Sequence, residues 1–268
     1  MLKAVLFDLD GTLLPMNEDE FIKGYFELMC KKMAPYGYDS DELVKATWAG
    51  VKEMRKNDGK RSNEQAFWDC FASIYGQEKL KDKALFEEFY RKEFSGVKIF
   101  CGENPKAREV IDFTKAQKLK VILASNPLFP KSGMVTRLGF VGLNETDFDY
   151  ITSYETAHYA KPNPNYLKEI LKNNNLQPNE AIVFGNSEIE DCEPASSIGI
   201  KSFLVGDTTV LKGDKPIYQH IAFDEIKDVI QKEVKAKKVA FGPRNINPVL
   251  NKSGKEMVDQ TSTLDPKW

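Results

Sequence analysis

Two aspartates stand two residues apart in the run Asp8-Leu9-Asp10-Gly11-Thr12, directly behind the apolar stretch Lys3-Ala4-Val5-Leu6-Phe7. In an extended chain residues i and i+2 face the same way, so the two carboxylates would lie side by side and repel one another. Burying both is costly unless a cation or a proton relieves the repulsion. Gly11 permits a sharp turn, after which the Asp8 carboxylate and the Asp10 carbonyl can share a small hard cation while the Asp10 side chain swings elsewhere. The alternative is a polar exit from a strand with Asp-Gly as an ordinary turn.

Similar apolar bursts recur at Lys120 to Ala124, Ala181 to Phe184 and Ser202 to Val205. Bursts without alternation suit strands buried on both faces of a parallel sheet. Helical spacing fills Asn104 to Gln117, Asn163 to Asn173 and Glu190 to Ile198, so strand and helix alternate as in βαβ units. In such sheets ligands bind beyond the carboxyl ends of the strands. Residues 15 to 98 differ, with helix-spaced sets such as Phe21, Tyr25 and Leu28, then Leu43, Ala46 and Thr47, then Phe86, Phe89 and Tyr90. Asn17 followed by Glu20 resembles a helix start. The fold class expected is α/β, a Rossmann-like parallel sheet core from residues 1–14 and 99–238 with an all-helical insertion over 15–98. Residues 239–268 read as a tail or a surface segment. The insertion's aromatic residues, Phe67, Trp68, Phe71 and Tyr75, are expected to be core.

Composition narrows the partners. Among 268 residues, 38 Lys and Arg nearly balance 40 Asp and Glu, and the net charge of −2 supplies no field that would draw nucleic acid or an anionic membrane. The opening apolar run is too short for a signal peptide, and no uncharged stretch approaches the roughly 18 residues of a spanning helix. A soluble, cytoplasmic protein is expected. Cys30, Cys70, Cys101 and Cys192 are widely spaced, which argues against zinc and against a disulfide framework. Neither a G-x-x-x-x-G-K-[ST] loop nor a G-x-G-x-x-G fingerprint occurs, no cysteine is followed six positions on by an arginine, and the histidines number two, His158 and His220.

Asp8-Leu9-Asp10-Gly11-Thr12 resembles the first motif of the haloacid dehalogenase superfamily, and three later stretches match that family's remaining motifs in order. Ser125 and Asn126, after Val121-Ile122-Leu123-Ala124, match the second. Lys161, in Tyr159-Ala160-Lys161-Pro162-Asn163-Pro164, matches the third, where Lys-Pro opens a helix. Gly185-Asn186-Ser187-Glu188-Ile189-Glu190-Asp191 matches the fourth, with Asp191 as its second acid and Asn186 where the first acid is usual. The resemblance implies a magnesium-dependent phosphatase of the capped group, with the insertion over 15–98 as its helical cap, acting on a small phosphorylated metabolite. In that reading Asp8 is the nucleophile, Asp10 the general acid and base, and Lys161 and the Ser125 hydroxyl offset charge on the phosphoryl group, with Gly11, Thr12 and Asn126 beside it. The implied magnesium ligands are drawn from Asp8, Asp10, Asn186 and Asp191, with Asp191 otherwise orienting water or Lys161. An amide brings no charge, so Asn186 implies a weaker magnesium site than the family norm. Two alternatives use the same residues: a fold-retaining binding or regulatory protein without turnover, and a phosphotransferase with an acceptor other than water. Lys23, Arg55 and Arg61 are candidates for a second anionic group of the substrate, with exposed solvation as the ordinary fate of each.

Overall fold

The computed structural model describes residues 1–239, and its chain begins with the buried strand β1 (Ala4–Phe7). Four helices of the insertion follow: α1 (Glu18–Met33), α2 (Ser40–Arg55), α3 (Asn63–Tyr75) and α4 (Lys83–Arg91). The chain then alternates through α5 (Lys106–Ala116), β2 (Lys120–Leu123), α6 (Lys131–Phe140), β3 (Tyr150–Ile151), α7 (Pro164–Asn173) and β4 (Ala181–Gly185). It closes with α8 (Glu193–Ser197), β5 (Lys201–Val205), β6 (His220–Ile221) and α9 (Ile226–Val239). The segment expected as a tail, 239–268, falls outside the described residues but for Val239.

All six strands are parallel in the order β3-β2-β1-β4-β5-β6. The chain builds outward from β1 in both directions, so β1 and β4 flank the switch point where open α/β sheets bind ligands. Strand periodicity distributes the core. Val5, Phe7, Val121, Leu123, Ile182 and Phe184 face one side with Val110 and Ile111 of α5 and Ile226 and Ile230 of α9. Ala4, Leu6, Ile122 and Val183 face the other, against Tyr166, Leu167 and Ile170 of α7. Phe7, Phe184 and Phe203 stack across three neighbouring strands with centroids 5.7 and 5.3 Å apart, each contact adding about 0.5–1.5 kcal/mol beyond burial.

Helices α1 to α4 build their own core. Asn17 caps α1 by accepting from the Glu20 N–H, and Ser62 and Gln65 form a reciprocal capping box on α3. The apolar faces meet in an aromatic cluster that includes Tyr25, Phe71, Phe86, Phe89 and Phe94. Two adjacent linkers join this bundle to the sheet: Gly102 donates to the Pro15 carbonyl at 2.7 Å and Met16 bridges Cys101.

Two expectations need correction. The helix expected from Glu190 begins as a wide π-type turn over Glu188–Cys192 and becomes regular at Glu193, next to Pro194, which has no N–H to donate. Lys161-Pro162 does not itself open a helix: α7 begins at Pro164, capped by Asn163, whose side chain accepts from the Asn165 N–H. The expectation that the insertion's aromatic residues are core holds: Phe67, Trp68 and Phe71 belong to the bundle's core with Tyr75 packed against it, and Phe67 and Trp68 wall a cavity as well.

Candidate active site

The strand ends deliver the acids. The Asp8 N–H donates to the Phe184 carbonyl at 2.9 Å, continuing the ladder between β1 and β4 by one residue. Behind it the chain folds into a tight turn in which Gly11 takes φ +81° and donates to Leu14, while Leu14 donates to Leu9. A side chain at Gly11 would be strained in that backbone conformation, and its Cβ would lie 2.1 Å from Asn186 Nδ2. The loop after β1 and the loop after β4 are therefore in direct contact at this glycine.

Lys161 is the centre of the charge arrangement. Its buried ammonium donates to Asp8 Oδ1 at 2.7 Å and to Asp191 Oδ1 at 2.5 Å. Burial alone would loosen the lysine's hold on its proton, but Asp191 and Asp8 outweigh it and hold Lys161 charged. Burial pushes the Asp191 carboxyl above the usual carboxylate range, and Lys161 opposes that shift. The other Asp191 oxygen accepts from the Ser187 N–H at 3.0 Å, so both Asp191 oxygens serve to fix the lysine and the loop. Thr12 donates to Asp8 Oδ2 at 3.0 Å, which fixes that carboxylate from below.

Asp10 turns away from Asp8 and pairs with Arg137 of α6. Arg137 is 1% exposed and its guanidinium lies 4.3 Å from the centroid of the Phe129 ring. Burial raises the Asp10 carboxyl above its ordinary range, Arg137 pulls against that rise, and Asp8 adds to it. The second Asp10 oxygen has no hydrogen-bond partner. Sequence reasoning missed Arg137, although an arginine between Met134 and Leu138 on an apolar helix face was the available signal.

Of the expected residues, Asp8, Asp10, Gly11, Asn126, Lys161, Asn186 and Asp191 line one cavity of about 500 Å³, and Thr12 lies beneath Asp8. Ser125 follows the neighbouring strand β2, at whose end Ala124 donates to the Phe7 carbonyl. Its hydroxyl is buried without a partner, while its carbonyl accepts from Tyr166 and Thr152. Asn126 donates to Glu190 at 3.1 Å and Glu190 also pairs with Arg55 at 3.3 Å. Arg55 thus reaches the cavity. Lys23 is exposed, and Arg61 pairs with Asp69 on the surface. His158 pairs with Glu169 away from the cavity.

The donors fit a hard cation that keeps part of its water shell. Among the described residues no three His, Cys, Asp or Glu side chains converge on one point. Asp8 directly follows β1, Asp10 lies two residues on in the same turn, and Asn186 directly follows β4 against Gly11. The Asn186 Nδ2 donates to the Thr208 carbonyl at 3.0 Å, which leaves its oxygen as the acceptor. An all-oxygen set of low charge suits magnesium rather than zinc.

A six-stranded parallel sheet with an Asp-Lys-Asp triad at its switch point defines an α/β enzyme fold carrying a helical insertion. The model of the haloacid dehalogenase-like hydrolases matches residues 5–205, and the chain belongs to that family. A phosphorylated carbohydrates phosphatase of Thermotoga maritima is 28% identical over 200 residues, covering 75% of this chain and 83% of that protein. A phosphoglycolate phosphatase of Aquifex aeolicus is 24% identical over 203 residues, covering 76% and 84%. The crystal structure of a HAD phosphatase from Thermococcus onnurineus shares the fold, with a TM-score of 0.53 and 21% identity over 85% of this chain and 98% of that one.

Proposed function

We propose that this protein is a cytoplasmic, magnesium-dependent phosphatase that hydrolyses a small phosphoric monoester through an aspartyl-phosphate on Asp8. The observation that carries the proposal is the Lys161 ammonium held between Asp8 and Asp191 at the wall of a cavity. That arrangement sets a buried ammonium beside the Asp8 carboxylate, where it can offset the charge of an arriving phosphoryl group. Two similar proteins are phosphatases by name, and four free cysteines suit a reducing compartment.

The steps follow from charge. An Asp8 oxygen attacks phosphorus and the ester P–O bond breaks, giving aspartyl-phosphate and an alkoxide. Asp10, whose raised affinity for a proton suits an acid, protonates the alkoxide as it leaves. The same carboxylate then takes a proton from water, which attacks phosphorus and releases inorganic phosphate with Asp8 restored. Lys161 and the buried Ser125 hydroxyl offset charge on the phosphoryl oxygens, a stabilisation strengthened by their removal from water. Magnesium, held by Asp8, the Asp10 carbonyl and the Asn186 amide oxygen, would neutralise further phosphoryl charge. Helices α1 to α4 serve as the cap that excludes bulk water.

The test is hydrolysis of 4-nitrophenyl phosphate with magnesium by the natural chain and by Asp8→Asn. Hydrolysis is expected in the first and a loss of at least about a thousandfold in the second, as for removal of a covalent nucleophile. Equal activity in the two would overturn the role of Asp8.

A further inference from the structure

The cavity changes character with distance from the acids. One end carries Asp8, Asp10 and Lys161, and the rest is walled by hydrocarbon and rings of the helical insertion, among them Phe21, Phe26, Val51, Phe67, Trp68 and Phe86. At about 500 Å³ it falls within the size range of small-molecule sites. Trp48, Ile189 and Val210 also line it while staying 47%, 39% and 45% exposed, so apolar surface continues to the mouth.

Several polar groups among those walls are already engaged with other protein groups. The Tyr25 and Tyr90 hydroxyls bond each other at 2.8 Å, Thr47 donates to the Leu43 carbonyl, and the Tyr154 hydroxyl accepts from Trp68 Nε1 at 3.4 Å. A polyhydroxy leaving group placed there would exchange its hydrogen bonds to water for contacts with hydrocarbon, at a cost of about 1–3 kcal/mol for each unpaired group. Charge gives the same answer for acids. Among the described residues the cations lining the cavity are Arg55, Arg137 and Lys161, and each already has a carboxylate partner in Glu190, Asp10 or Asp8 and Asp191. Glu18 and Glu190 line it as well, and would repel a carboxylate on the substrate.

Resting on the phosphatase reading, we infer that the substrate is the phosphate monoester of an apolar alcohol, ring-bearing or branched, whose hydrocarbon lies against the aromatic wall while its phosphate reaches Asp8. Such a leaving group buries apolar surface and asks for no hydrogen bonds. A phosphorylated sugar or a phosphorylated hydroxy acid lacks that match.

The experiment compares kcat/KM of the full chain with magnesium for 2-phenylethyl phosphate, glucose 6-phosphate and phosphoglycolate, three esters of primary alcohols, with 4-nitrophenyl phosphate as the general substrate. The expected result is a preference of roughly a hundredfold for 2-phenylethyl phosphate over either polar ester. Trp48→Gln, at a half-exposed position, is expected to shrink that preference severalfold by raising KM for the apolar ester while leaving the urea unfolding midpoint close to that of the natural chain. Equal or better turnover of glucose 6-phosphate or phosphoglycolate would overturn the inference and leave the phosphatase reading intact. Failure to hydrolyse any ester, 4-nitrophenyl phosphate included, would overturn the phosphatase reading and this one with it. A preference that survives Trp48→Gln undiminished would remove the aromatic wall as its cause.

Discussion

Arg137→Met removes the guanidinium from Asp10 and leaves a carboxylate facing hydrocarbon. Breaking one side of a buried ion pair costs about 3–5 kcal/mol. The Asp10 side chain is surrounded by protein but keeps 31% of its surface open toward the cavity, where water relieves part of the penalty. The lower end, about 3 kcal/mol, is therefore expected. The sign of the pH dependence follows from what Arg137 opposes. Burial and Asp8 already raise the Asp10 carboxyl, and Arg137 holds that rise in check. Without it the folded protein binds the Asp10 proton more tightly still than the unfolded chain does. The variant then loses stability as pH climbs above the ordinary carboxylate range, in full once pH exceeds the folded-state value. Urea denaturation at about pH 5 and pH 8 should show a larger deficit at pH 8. Asp10→Asn combined with Arg137→Met should recover most of it, because replacing both members of a buried pair is far cheaper than orphaning one. A deficit below about 1 kcal/mol, equal at both pH values, would refute the assignment of Arg137 as the counter-charge of Asp10.

Three further outcomes are expected. Asn186→Asp restores a charge beside the Asp10 carbonyl and should lower the magnesium concentration for half-maximal activity by on the order of tenfold; a metal titration of the hydrolysis rate measures it. Gly11→Ala places a Cβ at φ +81°, 2.1 Å from Asn186 Nδ2, so it should cost more than about 1 kcal/mol in denaturant unfolding and weaken magnesium dependence together. In Asp147, burial is outweighed by the hydrogen bond from Arg108, the Asn144 N–H and Lys115, which hold the carboxyl at about 2. Its stabilisation is present above the ordinary carboxylate range and is lost as pH falls through about 2. Asp147→Asn should therefore cost about 1–2 kcal/mol at neutral pH, discounted for the part-exposed Arg108 and Lys115, with the difference fading in acid unfolding curves.

Much of the framework is legible because it is local. Apolar bursts at Val5 to Phe7, Val121 to Leu123 and Ile182 to Phe184 became central parallel strands, and Asn17 capped its helix as its spacing with Glu20 suggested. Elements without local signal escaped. β3 and β6 are two residues each, too short for periodicity. Helix α6 contains Gly133 and Gly139, poor helix formers. It is held instead by tertiary packing, since a Cβ on Gly133 would come within 3.0 Å of Tyr90.

The site divides the same way. Asp8, Asp10, Lys161 and Asp191, picked out by their order along the chain, line the charged end of the cavity, because each follows or lies near a strand end and parallel strands bring those ends together; Ser125 follows β2 but does not line it. Only the folded molecule paired Asp10 with an arginine 127 residues away, committed both Asp191 oxygens to Lys161 and the Ser187 N–H, and turned core-type aromatics of the insertion toward the acids. Those outcomes depend on which side chains meet across distant segments. Periodicity and motif spacing carry no information about such meetings, because packing and desolvation are decided by neighbours in space.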